Sequence, residues 1–175
     1  MSTMLIVIGG LPGTGKTALA RGLARALDAV HLRIDTIEQA IRTSTMGSDA
    51  LGAAGYVVGY GVAADNLRLG RTVVADAVNP LTSTRAAWRE VAQRAAVAVF
   101  EVEVICSDAT EHRRRIESRS AEVDGLKLPT WEEVAAREYE RWDGEHVIID
   151  TAHRPVEQSV TALHALLLTR GRAIR

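Results

Sequence analysis

The stretch GLPGTGKT, residues 10–17, constrains the fold more than any other feature of the sequence. It has the pattern G-x-x-x-x-G-K-[ST]. A short apolar run at residues 5–8 precedes it, and residues 17–27 follow with leucines spaced along one helical face. A strand, a glycine-rich turn and a helix in this order favour a parallel sheet, because the helix carries the chain back to start a neighbouring strand.

The remaining sequence continues this alternation of strands and helices. Further strands are predicted up to residue 34 and at 72–75, 97–105 and 147–149, and loops at 43–49 and 122–129. Helices are predicted at 36–42, 51–69, 82–95, 108–119, 130–142 and 156–168. The run TWEE at 130–133 predicts a capping box at the start of the fifth of these helices. We therefore expect one α/β domain over residues 1–175, with helices on both faces of a five-stranded parallel sheet.

Composition restricts the possible partners. The net charge is −1 and the pI is near 6.5, so no overall positive charge attracts nucleic acid or a membrane. The single cysteine, Cys106, excludes an internal disulfide and fits a reducing compartment. The apolar run at residues 4–8 is too short for a signal sequence or a membrane span. The expected location is cytoplasmic.

The glycine-rich turn is predicted to bind phosphate. Its glycines allow successive backbone N–H groups to point at phosphate oxygens, and the following helix adds its positive N-terminal end. Lys16 is expected to reach the β- and γ-phosphates, and the Thr17 hydroxyl to bind Mg²⁺. The alternative is a turn that matches by chance. Nine residues are expected to contact ATP here: Gly10, Leu11, Pro12, Gly13, Thr14, Gly15, Lys16, Thr17 and Ala18.

A nucleotide site alone does not define a function, because switches, motors and kinases share this loop. The sequence has no N-K-x-D tetrapeptide, which argues against a GTPase. It is short for an oligomeric motor ATPase and suits a small-molecule kinase. The preference for ATP over GTP stays open.

Asp35 follows the second predicted strand. Ligands of an open parallel sheet bind beyond the carboxyl ends of its strands, so Asp35 should face the phosphate site across a cleft. A carboxylate there would repel phosphate unless it orients or accepts the proton of an attacking hydroxyl. The alternative is a helix N-cap, for which aspartate is favoured. Both roles can hold at once.

The residues GGLPGTGKT, Asp35 and a later arginine-bearing helix together resemble the P-loop small-molecule kinases. This group includes chloramphenicol phosphotransferase, adenylylsulfate kinase, gluconate kinase and the zeta-toxin sugar-nucleotide kinases. The layout is also similar to the phage-type polynucleotide 5′-kinases. The resemblance implies a P-loop NTPase three-layer sandwich with strand order 2-3-1-4-5, a small helical lid at about 108–128, and Asp35 as the base.

The sequence also departs from the patterns of these families. Adenylylsulfate kinases have a second acidic residue and an arginine after the strand, where this chain has Thr36 and Ile37. The histidine signature of gluconate kinases is absent. Glu38 stands where a polynucleotide kinase has an arginine that holds the acceptor phosphate. The resemblance therefore indicates a superfamily and leaves the acceptor open.

Asp76 follows the third predicted strand at the same edge. It could hold a water on Mg²⁺ or hydrogen-bond the acceptor, and the alternative is a turn aspartate before Asn79 and Pro80. Polynucleotide kinases have a similar run followed by a helix with arginine and tryptophan, as here in Arg85 and Trp88. Whether Asp35 or Asp76 is the main base stays open.

Arg115 and Arg119 lie four residues apart in the run HRRRIESR, so they are predicted to share one helix face. In similar kinases such arginines close over the phosphates and neutralise charge in the transition state. The alternative is a solvated helix with weak surface ion pairs. The resemblance also implies that the loop at Thr151 borders the adenine.

Three functions are compatible with these features. The first is an ATP-dependent phosphotransferase that acts on a hydroxyl of a metabolite, sugar or antibiotic, as a monomer or homodimer. The second is a polynucleotide 5′-hydroxyl kinase, which the net charge and Glu38 disfavour. The third is a non-catalytic regulatory nucleotide-binding domain, which would not need Asp35.

The predicted acceptor side is residues 43–69. This stretch has one arginine, Arg68, no lysine, and the carboxylates Asp49 and Asp65. Its tyrosines, Tyr56 and Tyr60, are four residues apart and could line the acceptor pocket or belong to the core. This composition predicts a neutral or polyhydroxylated small-molecule acceptor and disfavours nucleic acid.

Overall fold

The structure is a computed structural model that describes residues 2–44 and 52–173. Most of the predicted loop at 43–49 lies outside the described residues. Asp49 and the predicted helix start at residue 51 lie outside them entirely. Among the described helices, each is too short or too polar to serve as a membrane span.

The described residues form one five-stranded sheet. Its strands are β1 (Met4–Gly9), β2 (Val30–Arg33), β3 (Val73–Asp76), β4 (Ala98–Ile105) and β5 (Val147–Asp150). All pairings are parallel, in the spatial order β2-β3-β1-β4-β5, which confirms the predicted order. Every residue of β1 and β3 is buried, as expected for central strands covered on both faces.

Helices cover both faces of the sheet. They are α1 (Lys16–Leu27), α2 (Ile34–Thr43), α3 (Ala54–Arg68), α4 (Thr82–Arg94), α5 (Ala109–Ser118), α6 (Trp131–Ala135) and α7 (Val156–Ala173). Leu19 and Leu163, from α1 and α7, are buried against one face. Ala63 and Trp88, from α3 and α4, are buried against the other. A fully buried side chain of leucine size contributes about 1.5–3 kcal/mol, so these two layers hold the sheet.

The register of the sheet brings the C-terminal ends of the three strands β1, β2 and β3 to the same level. Asp76 of β3 pairs with Ile8 of β1 on one side and with Arg33 of β2 on the other. The glycine-rich loop leaves β1 at this level, and Asp35 follows two residues after Arg33. The register therefore places these groups at one edge of the sheet, where ligands of parallel sheets bind.

Asp35 is not the N-cap of the helix that follows β2. The strand ends at Arg33, which is itself the N-cap, and α2 begins at Ile34. Asp35 lies in the first turn of α2, where a negative charge is still favoured by the helix dipole. The N-cap interpretation of Asp35 is therefore wrong by two residues.

The predicted helix over 130–142 is much shorter in the structure. Thr130 and Glu133 form the predicted capping box, but α6 ends at Ala135. Beyond it the backbone bonds to other elements: the N–H of Glu140 donates to the carbonyl of Pro80 at 2.8 Å. Tertiary hydrogen bonds replace the helical ones in this segment.

Arg85 explains why that segment is irregular. Its side chain is fully buried on α4, and its guanidinium donates to the backbone carbonyls of Asn79 at 3.0 Å and Arg141 at 2.8 Å. Trp88 is also fully buried, and its Nε1 donates to Asn79 Oδ1 at 3.0 Å. Both side chains are therefore engaged inside the fold, where they fix the loop after β3.

Replacing Arg85 tests this role. Arg85→Ala should lower the free energy of unfolding by about 3 kcal/mol or more, because several buried carbonyls lose their donor. Arg94→Ala removes an exposed arginine of the same helix and should stay within about 0.5 kcal/mol of wild type. Chemical denaturation measures both. A loss below about 1 kcal/mol for Arg85→Ala would contradict the role.

Candidate active site

The glycine-rich loop needs glycine at two positions. Gly10 has φ of 146°, and a Cβ there would collide with the carbonyl oxygen of Val104. Gly15 is the N-cap of α1 with φ of 88°. Residues that carry a side chain rarely adopt either of these backbone conformations. The two glycines therefore allow the chain to turn from β1 into α1. The first-turn N–H groups of α1 lack intrahelical acceptors and face the phosphate site.

Leu11 and Thr14 support the loop from within. The Thr14 hydroxyl is buried and donates to the carbonyl of Leu11 at 2.9 Å, and the N–H of Gly10 donates to Val78 O at 3.1 Å. The loop residues that border the adjacent cleft are Pro12, Gly13, Gly15, Lys16, Thr17 and Ala18. Of the nine predicted phosphate contacts, Gly10, Leu11 and Thr14 shape the loop and lie behind this surface.

His112 fixes the outer side of the loop. Its Nε2–H donates to the carbonyl of Pro12 at 2.7 Å, and its ring meets Trp131 edge to face at 5.3 Å. Ile116, one turn along α5, contacts the position of Gly13. Sequence analysis did not single out His112. Its spacing of four residues from Ile116, both buried on one face of α5, was the available signal.

Lys16 is buried, with only 6% of its surface exposed. Burial lowers its pKa below the ordinary value of 10.5, although the nearby charges of Asp76 and Asp35 act in the opposite direction. Lys16 borders the cleft beside the glycine-rich loop, and its contact with the β- and γ-phosphates stays a prediction.

Asp76 lies beside the loop and is 1% exposed. The Thr17 hydroxyl donates to its Oδ1 at 3.3 Å, and His31 Nε2 lies 3.2 Å from its Oδ2. Burial alone would raise the pKa of Asp76, but the His31 contact, the charge of Lys16 and the Thr17 hydrogen bond together lower it. The adjacent oxygens of Thr17 and Asp76 are the kind of ligands that could hold Mg²⁺, directly or through water.

His31 was missed by sequence analysis. It lies on β2 two residues before Arg33, and side chains at that spacing point to the same face of a strand. Two polar residues alternating in a four-residue strand were the only signal. His31 and Arg33 now link β2 to the two carboxylates, His31 to Asp76 and Arg33 to Asp35.

A cleft of about 570 Å³ opens beyond the loop. The glycine-rich loop forms one end, and the face of α2 that carries Asp35, Glu38 and Arg42 forms the other. Asp35 is about one third exposed, and Arg33 Nη2 approaches its Oδ2 at 3.5 Å. Asp35 therefore borders the same cleft as Lys16, and its role as a base stays a prediction.

Arg115 and Arg119 both border the cleft but differ in their contacts. Arg115 donates to the hydroxyl and the carbonyl of Thr151, both at 2.8 Å, and to Glu111 at 2.6 Å. α5 ends at Ser118, so Arg119 is its C-cap and does not share a full helix face with Arg115. Among the described residues, the Arg119 guanidinium has no hydrogen bond.

The surroundings of Arg119 change its pKa. Burial lowers its pKa, and Asp35 counteracts that effect while Arg33 adds to it. Arg119 is therefore an available donor near the candidate base. Arg115 instead ties α5 to the loop after β5.

Thr151 lies beneath the glycine-rich loop. It is buried, and its hydroxyl lies 2.7 Å from the carbonyl of Thr14, to which it donates. The side chain therefore connects the loop to Arg115. Thr151 therefore stabilises the glycine-rich loop. That the loop containing Thr151 borders the adenine stays a prediction.

The two tyrosines of α3 have different surroundings. Tyr60 packs edge to face on Trp88 at 4.5 Å and donates its hydroxyl to Thr84 O, so it belongs to the core. Tyr56 borders the cleft, and its hydroxyl accepts from the N–H of Asn79 at 3.0 Å. Burial raises the pKa of Tyr56, which keeps the hydroxyl protonated.

The sheet order, the glycine-rich loop and the cleft define a nucleotide-binding domain of the P-loop kinase type. Comparison with protein families specifies this further: residues 5–138 match the family described as AAA domain, and the chain belongs to that family. No curated protein sequence is significantly similar to it.

Solved structures share the fold over nearly the whole chain. One is the APS kinase CysC of Mycobacterium tuberculosis in complex with AMPPNP and APS, with 22% identity, a TM-score of 0.72, and coverage of 95% of this chain and 98% of that one. Another is a gluconokinase of Sinorhizobium meliloti, with 20% identity, a TM-score of 0.67, and coverage of 97% and 94%.

A third is Kti12 of Chaetomium thermophilum in complex with ADP-AlF3, with 21% identity, a TM-score of 0.65, and coverage of 91% and 96%. At these identities the likeness shows the fold.

Replacing Lys16 separates binding from stability. Lys16→Met should abolish nucleotide binding, yet melt at an equal or higher temperature than wild type near pH 7, because burial of the charged lysine opposes folding. That penalty disappears as pH rises towards the ordinary lysine pKa. The gain in melting temperature should therefore shrink by about pH 10. Melting curves at several pH values measure it, and a lower melting temperature at pH 7 would contradict the interpretation.

Proposed function

We propose that this protein is an ATP-dependent phosphotransferase that moves the γ-phosphoryl group of ATP to a hydroxyl of a small molecule. One observation carries the proposal: Asp35 and Lys16 border a single cleft, with the P-loop at one end. A domain that only binds a nucleotide has no use for a partly exposed carboxylate beside the phosphates. A phosphotransferase needs one to orient the attacking hydroxyl.

In this proposal the P-loop end of the cleft binds the nucleotide. N–H groups at the start of α1 and the Lys16 ammonium hold the phosphates. Thr17 and Asp76 would hold Mg²⁺, which when bound neutralises charge on the β- and γ-phosphates. His31 keeps the Asp76 carboxylate in place from the β2 side, at 3.2 Å.

Asp35 acts at the acceptor end. Its carboxylate accepts the proton of the acceptor hydroxyl as the oxygen attacks the γ-phosphorus. Arg33 fixes its position from one side. The charge of Asp35 acts on Arg119, and the Arg119 guanidinium has no hydrogen-bond partner among the described residues. Arg119 is therefore the group best placed to stabilise the transferring phosphoryl group.

The similar structures support this arrangement. The M. tuberculosis APS kinase was solved with both AMPPNP and APS, and another relative in fold is a gluconokinase. Transfer to a hydroxyl of a small molecule is therefore chemistry for which this fold is suited. Only the type of reaction is inferred from these structures, and their acceptors are not assigned to this protein.

We further propose a cytoplasmic enzyme that acts as a monomer or homodimer on a small-molecule acceptor, without nucleic acid or a membrane as partner. The buried free thiol of Cys106 is compatible with a reducing compartment. ATP and Mg²⁺ are its proposed cofactors.

The function is tested by ADP formation with ATP and Mg²⁺ over a panel of hydroxyl compounds, with mass spectrometry to identify the phosphorylated product. The proposal requires at least one product heavier by a phosphoryl group. Nucleotide binding without transfer to any hydroxyl compound would favour a non-catalytic domain. Transfer only to 5′-hydroxyl oligonucleotides would favour a polynucleotide kinase.

Replacing Asp35 tests the base. Asp35→Asn should keep nucleotide affinity and lower kcat by roughly 10²-fold or more, the usual size of a general-base contribution. Steady-state kinetics and nucleotide titration measure the two quantities. An unchanged kcat would show that Asp35 serves only as a charge at the N-terminus of α2.

The two arginines of the predicted lid should behave differently. Arg119→Ala should lower kcat by about 10²-fold or more with an unchanged melting temperature, because the side chain has no partner to lose. Arg115→Ala should also lower stability by about 1–3 kcal/mol, because two hydrogen bonds to Thr151 disappear. Equal thermal stability of the two variants would contradict this difference.

A further inference from the structure

The acceptor end of the cleft is richer in positive charge than the sequence suggested. The expectation of a neutral acceptor depended on residues 43–69, yet Tyr56 is the only described residue of that stretch that borders the cleft. The lining is supplied mainly by α2 and by the chain around α6. Seven cationic residues border the cleft: Lys16, Arg33, Arg42, Arg115, Arg119, Lys127 and Arg137.

The acidic residues of the cleft already have cationic partners. Glu122 accepts from Arg33 at 3.0 Å and from Arg21 at 2.6 Å. Glu38 pairs with Arg42 at 3.6 Å. Asp35 is in turn contacted by Arg33, so each acidic side chain of the cleft among the described residues has a cationic partner.

Besides Arg119, Lys127 and Arg137 are cations of the cleft that have no partner among the described residues. Neither side chain has a hydrogen bond or an ion pair with the described residues; the Arg137 charge only acts on Glu38 at longer range. Both also border an adjoining hollow of about 380 Å³, so they lie near each other. The carboxylate in that hollow, Glu133, accepts from the N–H of Thr130 at 2.8 Å in the capping box.

We propose that the acceptor is an anionic small molecule whose phosphate, sulfate or carboxylate group binds between Lys127 and Arg137 while its hydroxyl faces Asp35. This inference rests on the proposed phosphotransferase function. A guanidinium and an ammonium group together match the oxygens of such an anion, with arginine able to donate two parallel hydrogen bonds.

Other features of the cleft agree with an anion of small size. The Tyr56 hydroxyl accepts from Asn79, so its own proton is available for an acceptor oxygen. Leu126, Leu128 and Pro129 flank Lys127 and give this end apolar walls. The total volume falls within the range of about 300–1,000 Å³ typical of small-molecule sites. A nucleic-acid strand would instead need a continuous basic track.

The first experiment compares neutral and anionic acceptors at fixed ionic strength. Glucose, gluconate, glucose 6-sulfate and glucose 6-phosphate are offered with ATP and Mg²⁺, and kcat/KM is measured for each. An anionic member should exceed glucose, and the identity of the best one distinguishes carboxylate, sulfate and phosphate. Preference for glucose would overturn the inference while leaving the phosphotransferase proposal intact.

The second experiment does not depend on finding the acceptor. Wild type is saturated with AMP-PNP and Mg²⁺, so that the P-loop is filled, and inorganic sulfate, inorganic phosphate or acetate is titrated by calorimetry at constant ionic strength. Lys127→Gln and Arg137→Gln should each weaken binding of the preferred anion by about 10-fold. Arg94→Gln, which removes an arginine of α4 that is ion-paired with Glu90, should bind it like wild type.

The outcomes separate the two proposals. Failure of wild type to bind AMP-PNP would overturn the phosphotransferase function. Binding of AMP-PNP without saturable anion binding, or with equal anion affinity in both variants, would overturn only the anionic acceptor. Salt-sensitive labelling of a 5′-hydroxyl oligonucleotide, with no small molecule of the panel labelled, would overturn the small-molecule acceptor.

Discussion

The buried pair of Lys16 and Asp76 is the interaction on which the site depends. Both groups are nearly inaccessible to water, and the charge of Asp76 offsets part of the cost of burying Lys16. Asp76 is stabilised in turn by His31, by the charge of Lys16 and by Thr17. The two charges are neighbours because β1 and β3 pair in register, which places Asp76 level with the end of β1. The order of strands thus determines which charges surround Lys16.

A second set of contacts fixes the loop from the opposite side. His112 holds the carbonyl of Pro12, and Thr151 holds that of Thr14, with Arg115 donating to Thr151 in turn. The carbonyls of Pro12 and Thr14 are therefore both hydrogen-bonded, which fixes the conformation of the loop. Arg115 therefore contributes to the architecture of the loop through Thr151. The resemblance to kinases had suggested Arg115 as a mobile group that acts in the transition state.

The sequence was sufficient for the elements whose formation is local or periodic. The P-loop, the five strands and the capping box at Thr130 follow from short patterns, and each was predicted. It was insufficient where tertiary contacts decide. The helix predicted to residue 142 ends at Ala135 because the chain bonds to Pro80 and Arg85, which are far away in sequence.

The same limit applies to the candidate site. Asp35 could be predicted because it follows a strand whose carboxyl end must face the ligand. Lys127 and Arg137 could not, because they flank a loop and a short helix whose position beside the cleft depends on packing. His31 was missed although the expected strand order placed β2 beside β3, because its contact with Asp76 depends on the register of the two strands.

The ion pairs of Glu122 join three parts of the chain beside the cleft. Glu122 joins the segment after α5 to Arg33 of β2 and to Arg21 of α1, so it bridges the cleft beside the P-loop. Such partly exposed pairs contribute at most about 1 kcal/mol each. Arg33 contacts both Glu122 and Asp35. Because Nη1 of Arg33 contacts Glu122 and Nη2 contacts Asp35, a single arginine connects the segment after α5 to the candidate base.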